Sequence, residues 1–510
     1  MKNNKLIYPL IILLLVSCDD DFFNTIPTDR IAVDQFWTQE KDGILTTNSC
    51  YRGLELFRMV IFEGCSDNAC TSKTWEAGYM VANGSFNSSW GIVGDVWNDS
   101  YRYIRRTNDL IAHVDGIPGI DQNLKNRLKG EALTIRAYLY NILTLLYGDV
   151  PYFREPITLI EDGKKPRESK DKIINDMIAD LDMAIGYLPV SYTGSADRGR
   201  MTRGAAYAVK ARMCLYHGKY QQVRDAAAEL MKEDVYPYRL FSNYTDIFTY
   251  ANQMNSEVII DIQYVPTLRM HNIFEAYGPR SAQGVSNYSP TRSLIDEYES
   301  DDPRLRASIL MPLDQNPYIG GIFDPTPGSG TVDEAGVSYN ATVTGYQYRK
   351  YVLAEDRTFP ARCNINLIMM RYADVLLMFA EAENELNGPT QAAYEAINAV
   401  RQRARDANTG ILPDLDGLSK EQFLEAVLKE RRMEFAGEGL RYFDILRRRI
   451  AETVLNGTVY GMDYVDAEGN AKTVTVENRI FDKNKNYLWP IPEAELRLNH
   501  HLVGNQNPGF

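Results

Sequence analysis

The stretch TRGAAYAVKARMCLYHGKYQQVRDAAAELMKE, residues 202–233, constrains the fold more than any other part of the chain. Ala205, Ala208 and Ala211 recur every three residues, so one helical face is small enough for another helix to lie close against it. Leu215 and Tyr216 follow, Gly218 marks a turn, and a second helix starts at Tyr220. Helix, turn and helix within about 30 residues match the length and small/large pattern of a tetratricopeptide repeat. Such a pair cannot bury its own apolar face and needs neighbours of the same kind.

Three further pairs meet that need. Leu128, Ala132, Ile135, Leu139, Ile142, Leu143 and Leu146 share a helical face that stops at Gly148-Asp149-Val150-Pro151, and a second helix runs over 170–188. Tyr372, Val375, Leu376, Phe379, Ala380 and Leu386 form the next face; Gly388-Pro389 breaks it and a helix resumes over 391–405. The last pair covers 420–436 and 440–450 around a Gly-Glu-Gly turn. Pairs at 128–188, 202–233, 371–405 and 420–450 predict a mainly α fold, a tetratricopeptide-like array of four helix pairs. A chain of 510 residues alone would suggest several domains, but the repeats predict one, over 36–510. A leading helix is expected over 36–58, with Phe36, Leu45, Cys50 and Leu54 in the core.

Between the second and third pairs the character changes. Gly and Pro make up 22% of residues 278–345 against 11% of the chain. This predicts a long irregular insertion, about 264–361, of the kind that carries function. It is rich in Tyr, including Tyr264, Tyr288, Tyr318, Tyr339 and Tyr351. After the last pair, 458–465 and 471–476 alternate around Glu468-Gly469-Asn470, the pattern of a small β-hairpin.

The first residues set the compartment. Lys2 and Lys5 precede an apolar run, Leu6 to Val16, too short to span a bilayer. It ends in Leu15-Val16-Ser17-Cys18, which resembles a bacterial lipobox. Residues 1–17 are expected to be a lipoprotein signal peptide, Cys18 the lipid attachment site, and 18–35 a lipidated tether. Five Cys remain, an odd number, with Cys65 and Cys70 close enough to close a small loop. Cys214 lies in an apolar helix and reads as a small core residue.

The chemistry is marked by what is missing. There is no G-x-S-x-G, Walker A loop, H-E-x-x-H or spaced Cys/His zinc set. A net charge of −13 argues against nucleic acid, which needs clustered Lys and Arg. Only 5 His stand against 33 Tyr. His500 and His501 are adjacent and expected to diverge, so no metal site is predicted. Tyr464 occupies the place of the first carboxylate in a calcium loop around Gly469. Glu381 and Glu385, one helical turn apart, read as a solvated edge or as ion-pair partners. The mixed charges from Glu430 to Arg449 read as an ion-pair network tying the last two helices.

Aromatic residues in turn-rich segments are the strongest functional signal. Sugar rings present C–H faces that stack on Trp and Tyr, while Asn, Asp and Arg bind the hydroxyls, without cofactor or metal. Trp75, Tyr79 and Trp90 lie in a Gly-, Asn- and Ser-rich stretch over 63–94 and are candidate ligand-binding residues. Tyr288, Tyr318 and Tyr339 of the insertion are the others. Trp97 and Tyr101, at helical spacing, read as core.

Several segments carry a family resemblance. They are IRAYLYNILTLLYGDVPYF (135–153), TRGAAYAVKARMCLYHGKY (202–220), MRYADVLLMFAEAENEL (370–386), INAVRQRAR (397–405), ERRMEFAGEGLRYFDILRRR (430–449), LWPIPEAELRLN (488–499) and QNPGF (506–510). With the lipobox and Phe36-Trp37, the chain resembles the SusD/RagB family of outer-membrane nutrient-binding lipoproteins. The resemblance implies a non-catalytic cell-surface protein that binds oligosaccharide. It also implies a partner, a SusC-like TonB-dependent transporter, over which the protein closes like a lid. Ligand aromatics in relatives come from a loop after the N-terminal helices and from the insertion, where Trp75, Tyr79, Trp90 and the Tyr-rich segment fall. The insertion has no Trp, unlike relatives that stack starch or xyloglucan on Trp. Two other functions fit a tetratricopeptide lipoprotein: a scaffold for envelope assembly, or a glycosidase using a carboxylate pair.

Overall fold

The computed structural model describes residues 36–405, 408 and 410–510; the expected signal peptide, Cys18 and the tether lie outside the described residues. Helix α1, Glu40–Cys50, starts where Asp42 accepts the backbone N–H groups of Thr38 and Gln39. Its buried face is Asp42, Gly43, Thr47 and Cys50. Leu45 lies off that face and is 46% exposed, against the expectation that it packs inside. The predicted helix over 36–58 also changes type: residues Tyr51–Phe57 tighten into a 3₁₀ helix, and Arg58 ends it at φ +31°. Gly53 fits there because a Cβ would approach Tyr103 Cβ to 3.0 Å.

A short strand β1, Ala69–Cys70, and helix α2, Ala77–Ala82, follow, then the long helix α3, Gly91–His113. The first predicted pair is α4, Gln122–Tyr147, with α5, Lys170–Tyr187. Helix α4 begins before Leu128 because Asp121 caps it, accepting the N–H of Asn123 at 2.9 Å and of Leu124 at 3.0 Å. The second pair is α6, Arg203–Tyr216, with α7, Tyr220–Leu230; Thr202 caps α6 through the Ala205 N–H. Ala205, Ala208 and Ala211 are all buried, as close helix approach requires.

Strand β2, Val258–Ile262, precedes the irregular part of the insertion, which contains β3, Ser289–Pro290. Strand β4, Leu367–Arg371, closes it by pairing antiparallel with β2, Val258 opposite Arg371 and Ile262 opposite Leu367. The insertion is therefore a loop whose two ends are stitched together. The third pair is α8, Tyr372–Asn387, with α9, Gln391–Arg405, and the fourth is α10, Lys420–Glu434, with α11, Arg441–Arg448. The predicted hairpin is present as β5, Gly457–Val465, and β6, Ala471–Arg479.

One apolar core runs through all four pairs and into the insertion. Beside it lies a buried ionic network. Asp374 on α8 accepts two hydrogen bonds from Arg212 on α6, at 2.6 and 3.0 Å, and one from Arg431 on α10, at 2.6 Å. Arg431 also donates to Asp444 on α11. Arg371 donates to Glu257, Glu434 and Glu438, and Arg403 on α9 holds Glu257 and Glu434. The network is not confined to the last two helices: it ties the last three pairs together. Glu381 belongs to it, receiving Arg447 at 2.5 and 2.8 Å, so of the two readings it is the ion-pair partner, and buried.

Cys50, Cys65, Cys70, Cys214 and Cys363 are free and buried, so Cys65 and Cys70 form no bridge. The chain end locks the first pair. Asn507 Nδ2 donates to the carbonyls of Tyr147, at the end of α4, and of Trp489. His500 and His501 do not diverge; their ring centroids are 4.0 Å apart. Among the described residues no three His, Cys, Asp or Glu side chains are grouped to hold a metal ion.

Candidate functional site

Strand pairing brings two distant loops together. Ala69 pairs with Pro290 and Cys70 with Ser289, so the residues after β1 lie against the insertion. Lys73, itself buried, completes the join: its ammonium donates to Val285 O at 2.8 Å and Asn287 Oδ1 at 2.6 Å. Burial pulls the Lys73 ammonium below its usual range, against Glu76 and Glu275, which favour the charge. The same ammonium stands 5.9 Å from the centre of the Tyr339 ring.

Trp75 and Tyr339 meet at this join. Their ring centroids are 6.3 Å apart in an edge-to-face arrangement, yet they are 63% and 62% exposed. Two large aromatic rings from separate segments are thus held against each other with most of their surface in solvent.

Tyr288 does something different. It is 1% exposed and, although it lines the cleft described below, presents little ring surface for stacking. It is wedged between Gly64 and Gly78, where added Cβ atoms would fall 2.2 and 2.6 Å from its Cε1. Its hydroxyl accepts the Gly78 N–H at 3.0 Å and donates to Glu76 Oε2 at 3.3 Å. Tyr288 therefore fixes the start of α2, and with it the segment that carries Trp75. Tyr318 is likewise buried, 7% exposed, and packs edge-on against Phe274. Both moved inward because the insertion folds back on the array and supplies its own core. Tyr79 is half-buried on α2, and Trp90 is half-buried at the cap of α3, packed on the core. Neither stands in ring contact with the Trp75–Tyr339 pair.

One residue along the chain from Trp75 lies a cleft of about 410 Å³, which Glu76 lines but neither Trp75 nor Tyr339 does. Glu76, Asn272, Asn287, Tyr264 and His271 supply its polar and aromatic walls, and Val60, Ile61 and Ile273 its apolar ones. Glu76 adjoins Trp75 in sequence, and Asn287 is the residue Lys73 holds. Burial lowers the His271 pKa to about 4, so the ring is neutral at pH 7. The bonds fit that tautomer: Nε2 donates to Ile365 O at 2.9 Å and Nδ1 accepts from the Ile273 N–H at 3.2 Å. The arrangement offers stacking surface and hydrogen-bonding groups. Sequence reasoning missed Lys73, Glu76, Asn287 and His271, and their only signal was the closeness of Lys73 and Glu76 to Trp75.

A profile of the SusD family matches residues 237–510, more than half of the chain. The chain belongs to the SusD family. A second SusD-like profile, described as starch-binding associating with outer membrane, matches residues 58–215. SusD-like protein P25 of Formosa agariphila is 29% identical, with 98% of each chain covered. A SusD-like protein of Bacteroides fragilis with a solved structure is 27% identical, with a TM-score of 0.81 over 95% of this chain and 100% of that one. A solved laminarin-binding SusD-like protein is 25% identical, with a TM-score of 0.73 over 93% of this chain and 100% of that one. The four-pair array is thus the SusD-type fold.

Proposed function

We propose that this SusD-family member is a non-catalytic lipoprotein that captures oligosaccharide at the outer membrane and delivers it to a SusC-like TonB-dependent transporter. The observation that carries the reading is the Trp75–Tyr339 pair, two exposed rings in edge-to-face contact, with a cleft lined by Glu76, Asn272 and Asn287 one residue along the chain from Trp75. A sugar's C–H face stacks on such rings and its hydroxyls bond to such side chains. The similarity to a laminarin-binding protein supports a glycan as the ligand. Residues 1–17 serve as the signal peptide, Cys18 carries the lipid, 18–35 is the tether and 36–510 the single SusD-like domain. No helix among the described residues is long and apolar enough to cross a membrane. The helical array grips the transporter while the insertion side holds sugar.

Trp75→Ala and Tyr339→Ala should each weaken glycan binding by about fivefold or more, roughly 1 kcal/mol, because each removes a stacking face. The fold should persist, since both rings are largely in solvent. Calorimetry with glycans selected on an array measures this; unchanged affinity in both variants rejects the site. Co-purification with a transporter supports the delivery role, whereas co-purification with assembly machinery replaces it. Turnover of the bound glycan would replace it with a hydrolase.

A further inference from the structure

A second cleft, of about 340 Å³, adjoins the first. Ile262 lies in the walls of both, and the Arg269–Glu55 ion pair stands between them, with Arg269 on the second cleft and Glu55 on the first. Three guanidiniums line the second cleft, those of Arg198, Arg200 and Arg269, against one carboxylate, Asp261. That balance is the reverse of the chain's, which has 68 acidic against 55 basic residues. Glu131 and Asp197 answer the charge of Arg200, and Glu55 that of Arg269, so Arg198 is the guanidinium left uncompensated on this wall.

The loop that presents two of these groups is built to lie there. Gly199, between Arg198 and Arg200, has φ +85°, and a Cβ on it would fall 1.4 Å from Gln263 Nε2. The left-handed backbone favours glycine here, whereas the flexible end of Gln263 could swing away from an added Cβ. Arg200 is fully engaged, donating to Glu131 at 2.9 Å and Asn48 at 2.7 Å and pairing with Asp197. Arg269 holds Glu55 and lies over the Tyr264 ring at 5.2 Å. Arg198 is exposed, and its side chain makes no ion pair or hydrogen bond with the described residues. Asp261 is buried and accepts from Asn366 Nδ2 at 2.7 Å; burial pushes its carboxyl above the ordinary range, against the hydrogen bonds and the Arg198 charge, which pull it down.

We propose that this cleft is an anion subsite, in which Arg198 and Arg269 hold the carboxylate or sulfate ester of an acidic glycan whose neighbouring sugar lies in the aromatic cleft. The fork of a guanidinium matches the paired oxygens of either group. The inference rests on the glycan-binding reading and names the class of glycan.

The test is an array of uronate-bearing and sulfated oligosaccharides, each beside its neutral form, methyl-esterified or desulfated. Hits are then titrated against the wild type, R198A, R198E and W75A. The wild type should prefer a charged form to its neutral partner by about tenfold. R198A should remove most of that preference and R198E reverse it, with neutral-form affinity unchanged. The uronate and sulfate arms show which anion is taken. W75A should weaken charged and neutral forms alike. Equal affinity for charged and neutral forms, or a preference that survives R198E, overturns the anion subsite while leaving glycan binding intact. Failure of every glycan to bind overturns both. Unchanged thermal melts show that the variants fold.

Discussion

The buried carboxylate of Asp374 provides a quantitative test of what holds the helix pairs together. It receives Arg212 from the second pair and Arg431 from the fourth, so replacing it with Asn leaves two buried guanidiniums short of a counter-charge. Burial alone would push the Asp374 pKa up, but the two Arg residues outweigh it and hold the carboxyl at about 2, against 3.8 unperturbed. That difference corresponds to roughly 2 kcal/mol of stability by linkage. Leaving buried charges unpaired typically costs ~3–5 kcal/mol, so Asp374→Asn should cost about 2–5 kcal/mol at pH 7. The sign follows from the depressed pKa. The contribution is complete above pH 3.8 and is lost as pH falls through about 2. The variant has nothing to titrate there, so its deficit should shrink over that interval. Guanidinium unfolding of wild type and variant at pH 7, and at steps down to pH 2, measures both effects. A loss below about 1 kcal/mol at pH 7, or a deficit that does not change with pH, would refute the ionic tie.

Two further predictions follow from burial. Gly78→Ala should destabilise the protein by about 1–3 kcal/mol, because the new Cβ meets the Tyr288 ring at 2.6 Å and the Gly64 carbonyl carbon at 2.9 Å. It should also weaken glycan binding by displacing Trp75, and a melt with titration of the same sample checks both. Cys50, Cys65, Cys70, Cys214 and Cys363 should all resist a thiol reagent in the native protein and react once it is denatured. Burial pushes the thiols of Cys50, Cys214 and Cys363 up to about 12 and those of Cys65 and Cys70 higher still.

The four pairs were legible because helical burial is periodic: Ala205, Ala208 and Ala211 give the close face directly, and Gly218 its turn. The fate of the insertion was not. Gly and Pro report that a segment turns, not that it faces solvent. Tyr288 and Tyr318 sit in such a segment yet are core, since strand pairing at β1–β3 and β2–β4 folds the insertion onto the array. The wedge of Tyr288 between Gly64 and Gly78 depends on contacts across more than two hundred residues, which no local pattern encodes. Trp75 and Tyr339 were recognisable by residue type, but their meeting depends on the same strand pairing. The charges from Glu430 to Arg449 showed a network by spacing. Its depth was hidden, because Arg212, Glu257 and Arg371 come from earlier in the chain.

The bonds from Asn507 to the end of α4 set an order of events. Tyr147 and Asn507 are 360 residues apart, and Arg212 and Asp374 are 162 apart. A chain that emerges N-terminus first cannot satisfy these groups while it is still being delivered. Its early helices stay unlatched, and closing such long loops is slow. Completion of the native state is deferred until Asn507 arrives. Asn507 thus acts as a clasp that leaves the array loose until it is made and locks it afterwards.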